Sequence, residues 1–218
     1  KPKEYFEGHE SGISDLKYIP DTKKIISSSL DKTVKIWSLK YNKCIQTFTS
    51  FDAPIIKIAL HPHGHRFIFS TRKNAFQEWS IEENESTQLF IGHEMPVEFI
   101  DYTHDGSNVI SSSYDASIKI WNTETGECNQ TLTGHIGPIT ALKTNTTNKD
   151  EILTCGRDDT IKGWQLSSGE CLFSINLPGA SCLAIHPNGR RFIGGSWDNE
   201  TRCSLCLFLL ALFLFVLG

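Results

Sequence analysis

The sequence has no run of lysines or arginines and no nucleotide-binding or metallopeptidase motif. Its formal net charge is −4, whereas a nucleic-acid-binding domain usually carries a basic excess or a basic stripe. The patterns GxxxxGKS/T, GxGxxG and HExxH do not occur, so nucleotide and metallopeptidase chemistry have no starting point. No segment has sustained helical periodicity, which predicts an all-β chain. We therefore expect no nucleic-acid partner, no bound metal and no cofactor.

The cysteines do not indicate a disulfide framework. There are seven of them, and Cys44, Cys128 and Cys171 each follow a tryptophan by seven residues. A residue that recurs once per unit is typical of a small buried hydrophobe, so reduced thiols and an intracellular location, cytoplasmic or nuclear, are expected. Cys203 and Cys206 form a CxxC pair without a second pair, which is weak evidence for zinc.

Recurring tryptophans give the sequence its strongest pattern. They lie 42, 42 and 43 residues apart, at Trp37, Trp79, Trp121 and Trp164. Three of them close similar phrases, SSSLDKTVKIW, SSSYDASIKIW and TCGRDDTIKGW. A fixed period in which a tryptophan ends a short alternating strand predicts a supersecondary unit that stacks on copies of itself.

Each period contains short alternating stretches separated by turn residues, which predicts an antiparallel four-stranded meander. The predicted strands, in chain order, are 13–19, 24–29, 33–38 and 43–48, then 55–60, 66–71, 75–80 and 87–91, then 97–102, 108–113, 117–122 and 128–132, then 139–144, 151–156, 160–165 and 171–175. A further unit begins and then departs from the pattern near Arg202, with Ser204 where the next tryptophan is due.

These motifs resemble the WD40 repeat family, whose fold is a β-propeller of four-stranded blades. The resemblance covers roughly residues 5–200 and rests on the tryptophans, on glycine-histidine pairs that open repeats and on turn aspartates. Those pairs and aspartates are Gly8-His9, Gly92-His93, Gly134-His135, Asp31, Asp115 and Asp158. The repeat region is placed at 1–200, with blade units at about 8–50, 51–91, 92–133, 134–176 and, in part, 177–200. Because the family usually has seven blades, an open or incomplete ring is expected, completed by flanking sequence or by a partner.

The resemblance also implies a hydrogen-bonded set in each blade, made of the tryptophan, a hydroxyl residue, the turn aspartate and the opening histidine. The sets assigned to the first, third and fourth blades are His9, Ser29, Asp31 and Trp37, then His93, Ser113, Asp115 and Trp121, then His135, Asp158 and Trp164, with Gly156 at the last hydroxyl position. The second blade has Phe51, Thr71 and Lys73 beside Trp79, so we expect apolar packing and lower local rigidity there.

Two further patterns have competing interpretations. Histidine, serine and aspartate recur together as in a catalytic triad, but an enzyme needs a triad once, so a structural role is favoured and no enzyme is expected. The HPHGH run at His61, His63 and His65 resembles a metal cluster. It aligns with the turns at 103–106 and 185–189, so a solvated turn is the favoured interpretation.

The C-terminal segment 201–218 is assigned outside the repeat pattern. Residues 205–217 read LCLFLLALFLFVL without a charge, and a helix of that length spans about 20 Å of a hydrocarbon core of about 30 Å. Three interpretations stay open: a membrane anchor, a substitute strand, and a sequence not selected for this fold. The third is favoured, although membrane contact of this segment is kept as an alternative.

In the WD40 family the ends of the blades meet partners, and the resemblance implies two sets of contact residues. The residue before each turn aspartate gives Leu30, Arg72, Tyr114, Arg157 and Trp197, and the entrance of the first strand gives Ile56, Glu98 and Thr140. Tyrosine, tryptophan and arginine are enriched at interface hot spots, and the arginines favour acidic or phosphorylated partner segments. The alternative is that these turn residues are simply exposed.

The predicted function is a non-catalytic protein–protein interaction scaffold in an intracellular complex. Two alternatives stay open. One is a substrate-recognition or sensor module of a ubiquitin ligase or larger regulatory protein, and the other is a scaffold that the C-terminal segment holds at a membrane. Fold-level analogy does not identify the partner.

Overall fold

A computed structural model describes residues 5–49, 51–145 and 147–196, together with the backbone of 204–207. The described chain contains only β-strands and connecting turns, and every strand pairing in it is antiparallel. The all-β prediction is therefore confirmed. Within these residues no helix is long and apolar enough to cross a membrane.

The first compact unit, Lys1–Thr133, holds three four-stranded sheets, which we call blades one to three. Their strands are β1 (Ile13–Ile19), β2 (Lys24–Ser29), β3 (Val34–Ser38) and β4 (Lys43–Phe48), then β5 (Ile55–Leu60), β6 (Arg66–Thr71), β7 (Ala75–Ser80) and β8 (Ser86–Ile91), then β9 (Val97–Tyr102), β10 (Asn108–Ser113), β11 (Ile118–Asn122) and β12 (Cys128–Leu132). In each blade the strands pair in chain order, as expected for a meander. The first strands of consecutive blades lie side by side.

The second compact unit, Gly134–Gly218, holds blade four and a three-stranded blade five. Their strands are β13 (Ile139–Thr144), β14 (Glu151–Gly156), β15 (Thr160–Gln165) and β16 (Cys171–Asn176), then β17 (Ala180–Ile185), β18 (Arg191–Ser196) and β19 (Ser204–Leu207). The strands predicted for blades one to four differ from the observed ones by at most one residue at one end. Trp197, one of the predicted contact residues, lies outside the described residues.

In blades one to four the second and third strands are largely buried on both faces, whereas the fourth strand has exposed positions. In the first unit, Phe48 and Phe67 pack edge to face between blades one and two, with ring centroids 5.1 Å apart. Phe76 and Phe90 stack at 4.6 Å, and Trp121 of the next blade meets Phe76 edge-on at 5.6 Å. Facing sheets therefore bury one another's apolar side chains, which is the main source of stability in a stacked-blade fold.

The start of the C-terminal segment contradicts its assignment outside the repeat. The backbone of β19 pairs with β18, from Gly194 opposite Ser204 to Arg191 opposite Leu207. Strand pairing uses backbone groups and tolerates an apolar run without alternation. The register places Cys206 opposite Phe192, as Trp37 lies opposite Ile25, so the tryptophan position is 206 and the prediction of 204 was wrong. The rest of the segment lies outside the described residues.

The repeated cysteine position also differs from the prediction. Cys44 is half-buried, and Cys128 and Cys171 are exposed. Each thiol donates to the backbone carbonyl two residues ahead, with Sγ···O distances of 3.3, 3.4 and 3.2 Å respectively. Each of these cysteines pairs with the strand-three tryptophan beside a register shift. The position therefore stabilises a bulge, rather than filling the core.

Neighbouring residues of β8 provide a test of the blade packing. Phe90 is 0 % exposed between blades two and three, and Ile91 is 67 % exposed. We expect Phe90→Ala to lower the free energy of unfolding by about 3–5 kcal/mol, because it removes a stacked ring and leaves a cavity. Ile91→Ala should change it by less than about 1 kcal/mol. Urea unfolding followed by tryptophan fluorescence measures both, and equal losses would contradict this core.

Candidate functional site

The predicted contact residues lie at one end of each blade. Antiparallel pairing sets the start of the first strand against the end of the second, with Ile13 opposite Ser29 and Ile55 opposite Thr71. Blades three and four repeat this register. The two predicted sets therefore meet at the same end of their own blade, and we call them the blade-end rim. Its described residues are Leu30, Arg72, Tyr114, Ile56 and Glu98 in the first unit and Arg157 and Thr140 in the second.

These rim residues differ in exposure. Leu30 is 44 % exposed, and Arg72 and Arg157 are exposed as well. Tyr114, Ile56, Glu98 and Thr140 are half-buried. The Thr140 hydroxyl has acceptors in the Cys155 and Ala180 carbonyls, both at 3.3 Å. Thr140 is therefore part of the packing of its unit, whereas the exposed turn residues offer side chains to solvent.

Backbone hydrogen bonds hold the rim turns in place. The amides of Leu30, Tyr114 and Arg157 donate to carbonyls of the loop that enters the same blade, at 2.9, 3.1 and 2.8 Å respectively. The turns of blades one, three and four each contain a left-handed residue, Lys32, Ala116 or Asp159, with φ of 65°, 66° and 59°. Asn74, the corresponding residue of blade two, does not adopt this conformation. The rim turn of blade two thus has a different backbone.

A chain of hydrogen bonds connects the interior of blade one to its rim turn. The Trp37 indole N–H donates to Ser27 Oγ at 2.7 Å, and the Ser27 hydroxyl donates to His9 Nε2 at 2.7 Å. His9 Nδ1–H then donates to Asp31 Oδ2 at 2.8 Å. Asp31 also accepts from the amides of Glu10 and Thr33, both at 2.9 Å. The chain therefore ties the blade interior to the turn that carries Leu30.

Blades three and four contain the same chain. The hydroxyls are Ser111 and Thr154, which accept from the indoles of Trp121 and Trp164 at 2.7 and 2.8 Å. They lie 2.7 and 2.8 Å from the Nε2 atoms of the blade's histidine. Those histidines, His93 and His135, bind the turn aspartates Asp115 and Asp158 at 2.7 and 2.8 Å.

The predicted hydroxyl position was therefore wrong by two residues. Ser29 accepts instead from the amide of Asp31 at 3.1 Å and donates to the Ser11 carbonyl at 3.3 Å. Ser113 has the corresponding role in blade three. Gly156 replaces this second hydroxyl, so blade four keeps a complete chain. The signal was present in the sequence, because a hydroxyl residue precedes each of these three tryptophans by ten residues.

Burial favours the neutral form of His93 and of His135. Burial lowers the pKa of His93 and of His135, although the aspartate bonded to each opposes that shift. Burial alone would raise the pKa of Asp115 and of Asp158, but hydrogen bonds from Ser117 and Thr160 and from the histidines lower both below the ordinary value. A carboxylate can only accept, so Nδ1 carries the histidine proton and Nε2 accepts from the hydroxyl.

Blade two keeps the tryptophan but lacks the hydroxyl, the histidine and the aspartate of this hydrogen-bond chain. Pairing places Phe69 opposite Gln77 as Ser27 lies opposite Lys35. Phe51 replaces the histidine, Lys73 the aspartate and Ala75 the threonine that follows it. The Trp79 indole N–H is buried and has no partner among the described residues. Phe51 packs against Phe69 and Trp79 at centroid distances of 4.5 and 5.0 Å, so the prediction of apolar packing is confirmed. Lower rigidity of this blade stays a prediction.

The HPHGH run is only partly a solvated turn. His63 and His65 are exposed, but His61 is 7 % exposed and lies edge-on to Tyr102 at 5.1 Å. Burial lowers the pKa of His61. The described residues contain no group of three or more ligand side chains placed to hold a metal ion. The expectation of full solvation was wrong for His61, because the following blade covers its ring.

Beside His61 lies a buried carboxylate that the sequence analysis did not identify. Glu78 is 0 % exposed and accepts from Thr87 Oγ1 at 2.7 Å and from the Tyr102 hydroxyl at 2.8 Å. Arg66 Nη1 is 3.3 Å from it. Burial, followed by the Glu78 charge, raises the pKa of Tyr102. The residue before the tryptophan is isoleucine in the neighbouring blades, at Ile36 and Ile120. A glutamate at this otherwise apolar position was the sequence signal that could have identified Glu78.

Comparisons with known proteins agree with these repeats. The family model described as WD40, "WD domain, G-beta repeat", matches residues 1–38, 84–122, 126–165 and 169–203. Residues 39–83, which include Phe51, Phe69 and Lys73, fall between the matched segments. A curated relative, the WD repeat-containing protein 89 homolog of Dictyostelium discoideum, is 48 % identical over 40 residues. That segment is 18 % of this chain and 11 % of the relative.

Adjacent serines of β10 test the hydrogen-bond chain. Ser111→Ala should lower the free energy of unfolding by about 1–3 kcal/mol, because it leaves the Trp121 indole and His93 Nε2 unpaired. Ser112 is equally buried, yet its hydroxyl has no partner among the described residues, so Ser112→Ala should be neutral or stabilising. Chemical unfolding of both variants checks this. If Ser112→Ala is the more destabilising change, the assignment of Ser111 is wrong.

The pKa shifts predict a loss of stability on acidification. The folded pKa values of His93 and His135 lie below the unfolded value of about 6.5, so the unfolded chain binds more protons below that pH. The aspartates, whose pKa values are also lowered, act in the same direction at more acidic pH. We expect the melting temperature to fall by a few degrees between about pH 7.5 and 5.5.

His93→Gln is the matched control for this pH dependence. A glutamine amide can still accept from Ser111 and donate to Asp115, but it does not titrate. The variant should therefore show a smaller fall in melting temperature than the unmodified chain over the same range, measured by scanning calorimetry at constant ionic strength. An unchanged slope would remove His93 from the explanation.

Proposed function

Because this chain belongs to the WD40 repeat family, we propose that it is a non-catalytic interaction scaffold whose blade-end rim binds partner proteins. WD40 repeats generally mark protein–protein interaction scaffolds, and the matched segments extend over most of this chain. The particular partner and the rim residues that contact it are the proposed part. The observation that carries the proposal is a set of exposed or half-exposed side chains at the turns, of which those of blades one, three and four are held by hydrogen bonds to the entering loops.

Rigid turns favour binding because little conformational entropy is lost when a partner docks. The amides of the rim turns are bonded to the entering loops, and in blades one, three and four the turn aspartates join those turns to buried tryptophans. A side chain such as Leu30 is thus presented on a fixed backbone. Binding residues on loops that a rigid scaffold positions are the usual arrangement in interaction domains.

The two exposed arginines of the rim support an acidic or phosphorylated partner segment. Arg72 and Arg157 are exposed, one in each compact unit. A guanidinium can form two parallel hydrogen bonds with a carboxylate or a phosphate, which adds directionality to charge attraction. Tyr114 adds an amphipathic ring of the kind that is enriched at hot spots.

The recurring histidine, hydroxyl and aspartate side chains support a non-catalytic role. Ser27, Ser111 and Thr154 are buried, and each hydroxyl is hydrogen-bonded to both an indole and an imidazole. A nucleophile must reach its substrate, whereas these three hydroxyls are buried from solvent. The need to pair buried polar groups explains why histidine, hydroxyl and aspartate side chains recur together.

Replacing Arg72, Tyr114 and Arg157 together by alanine should abolish the capture of partner proteins from a lysate, while the melting temperature changes by less than about 2–4 °C. Affinity capture with quantitative mass spectrometry and a thermal melt measure the two effects. The loss should be greatest at low ionic strength, since screening weakens charge pairing.

A matched control removes the same kinds of side chain elsewhere. Lys40 and Tyr41 lie in the turn between β3 and β4, and Arg190 lies in the turn between β17 and β18, at the opposite end of their blades. All three are exposed. The triple alanine variant at these positions should keep every partner. Retention of partners by the rim variant, or equal loss in both variants, would contradict the proposal.

A further inference from the structure

Blade two contains a cavity of about 390 Å³ at its rim end. Its lining comes entirely from this blade and its entering loop, and consists of Phe51, Asp52, Phe69, Thr71, Lys73, Ala75, Phe76, Gln77 and Leu89. The volume lies within the range of about 300–1,000 Å³ that is typical of ligand pockets.

The cavity lies at the position of the hydrogen-bond chain found in the other blades. Phe51, Phe69 and Lys73 replace its histidine, serine and aspartate. Gln77 and Leu89 replace another cross-strand pair, which in blade one is Lys35 bonded to Thr47 at 3.1 Å. Blades three and four have the same lysine–hydroxyl bond at 2.9 and 2.8 Å. All these substitutions remove polar contacts from one end of one blade, and the cavity lies at that end.

The inner part of the cavity is aromatic. Phe51 and Phe69 contact each other and the buried Trp79, and Phe76 stacks on Phe90 behind them. Leu89, which is 43 % exposed, and the small accessible faces of these rings offer dispersion contacts to an apolar side chain. Thr71 and Gln77 are the neutral hydrogen-bonding side chains of the lining, and they are suited to the backbone of an extended peptide.

Charged side chains lie at the opening. Lys73 and Asp52 form an exposed ion pair, and Arg72, which precedes Lys73, is exposed as well. Lys73, and to a smaller degree Lys32 of the neighbouring turn, lowers the pKa of Asp52. Lys73 and Lys32 thus act on Asp52, which already has a partner in Lys73. A segment with acidic residues beside its apolar anchor would complement this charge.

We propose that this cavity binds a large apolar side chain, phenylalanine or leucine, of a partner segment whose neighbouring residues are acidic. The inference rests on the proposed function as an interaction scaffold and adds a defined anchor to it. The apolar part of the lining receives the side chain, Thr71 and Gln77 bond the segment's backbone, and Lys73 pairs with its carboxylates. Blade two has thereby exchanged an internal hydrogen-bond chain for a binding pocket.

Short fluorescein-labelled peptides test the pocket directly on the full chain. The probe has the sequence Glu-Asp-Phe-Asp-Glu, with Leu and Ala versions at the centre and a basic version, Lys-Arg-Phe-Arg-Lys. Fluorescence anisotropy should show binding of the Phe and Leu peptides, about ten-fold weaker binding of the Ala peptide, and none of the basic peptide. No binding of any acidic peptide, or equal binding of the Phe and Ala peptides, would overturn the inference.

Two variants connect binding to the cavity. Ala75→Phe fills it without a change of charge and should weaken binding of the Phe peptide by about ten-fold or more. The variant Phe51→His, Phe69→Ser, Lys73→Asp and Ala75→Thr restores the hydrogen-bond chain of the other blades. It should lose the peptide while its melting temperature stays equal or rises, because the Trp79 indole gains an acceptor.

The outcomes separate this inference from the proposed function. If Ala75→Phe binds the peptide as tightly as the unmodified chain, the cavity is not the site, although capture of partners by the rim can still hold. If Ala75→Phe loses the peptide but the rim triple variant still captures all lysate partners, the pocket stands and the rim proposal fails. Thermal melts of every variant exclude unfolding as the cause, and a peptide loss that only accompanies unfolding overturns the inference.

Discussion

The buried indole N–H of the tryptophan that closes the third strand is the constraint on which each regular blade depends. A donor taken out of water must find an acceptor, or the fold loses the desolvation energy of that group. In blade one the acceptor is Ser27, and its hydroxyl needs an acceptor in turn, which His9 supplies. The imidazole then needs the carboxylate of Asp31. One buried donor thus requires a serine, a histidine and an aspartate from three separate parts of the repeat.

The same requirement determines the geometry of the rim. Asp31 accepts the imidazole N–H and the amides of Glu10 and Thr33 at once, so the entering loop and the turn cannot move apart without the loss of several bonds together. A cooperative network of this kind rigidifies the backbone that it joins. The turn that exposes Leu30 is therefore held by the hydrogen-bond chain that starts at the buried tryptophan. This chain links the packing of the blade to the rigidity of its binding turn.

Much of the fold was predictable from the sequence because period and alternation act over short distances. A strand boundary depends on a turn residue next to it, and a signal such as Asp31 followed by a left-handed Lys32 is local.

The sequence pattern did not determine which hydroxyl accepts from the tryptophan. Ser27 and Ser29 lie on the same face of one strand, and only their contacts distinguish them. The burial of His61 beneath Tyr102 and Glu78 depends on the next blade, and a turn motif does not contain that information. The position of Cys206 follows from backbone register, which an apolar run does not specify.

Blade two shows what happens when the constraint is left unmet. Its tryptophan is retained and buried, but the acceptor is replaced by Phe69 and the indole N–H has no partner among the described residues. Aromatic contacts with Phe51 and Phe69 offset part of that cost, and the blade is packed between two blades with complete networks. In a stacked-repeat protein a unit is stabilised by its interfaces as well as by its own bonds. A single divergent blade can therefore be tolerated where its neighbours are regular.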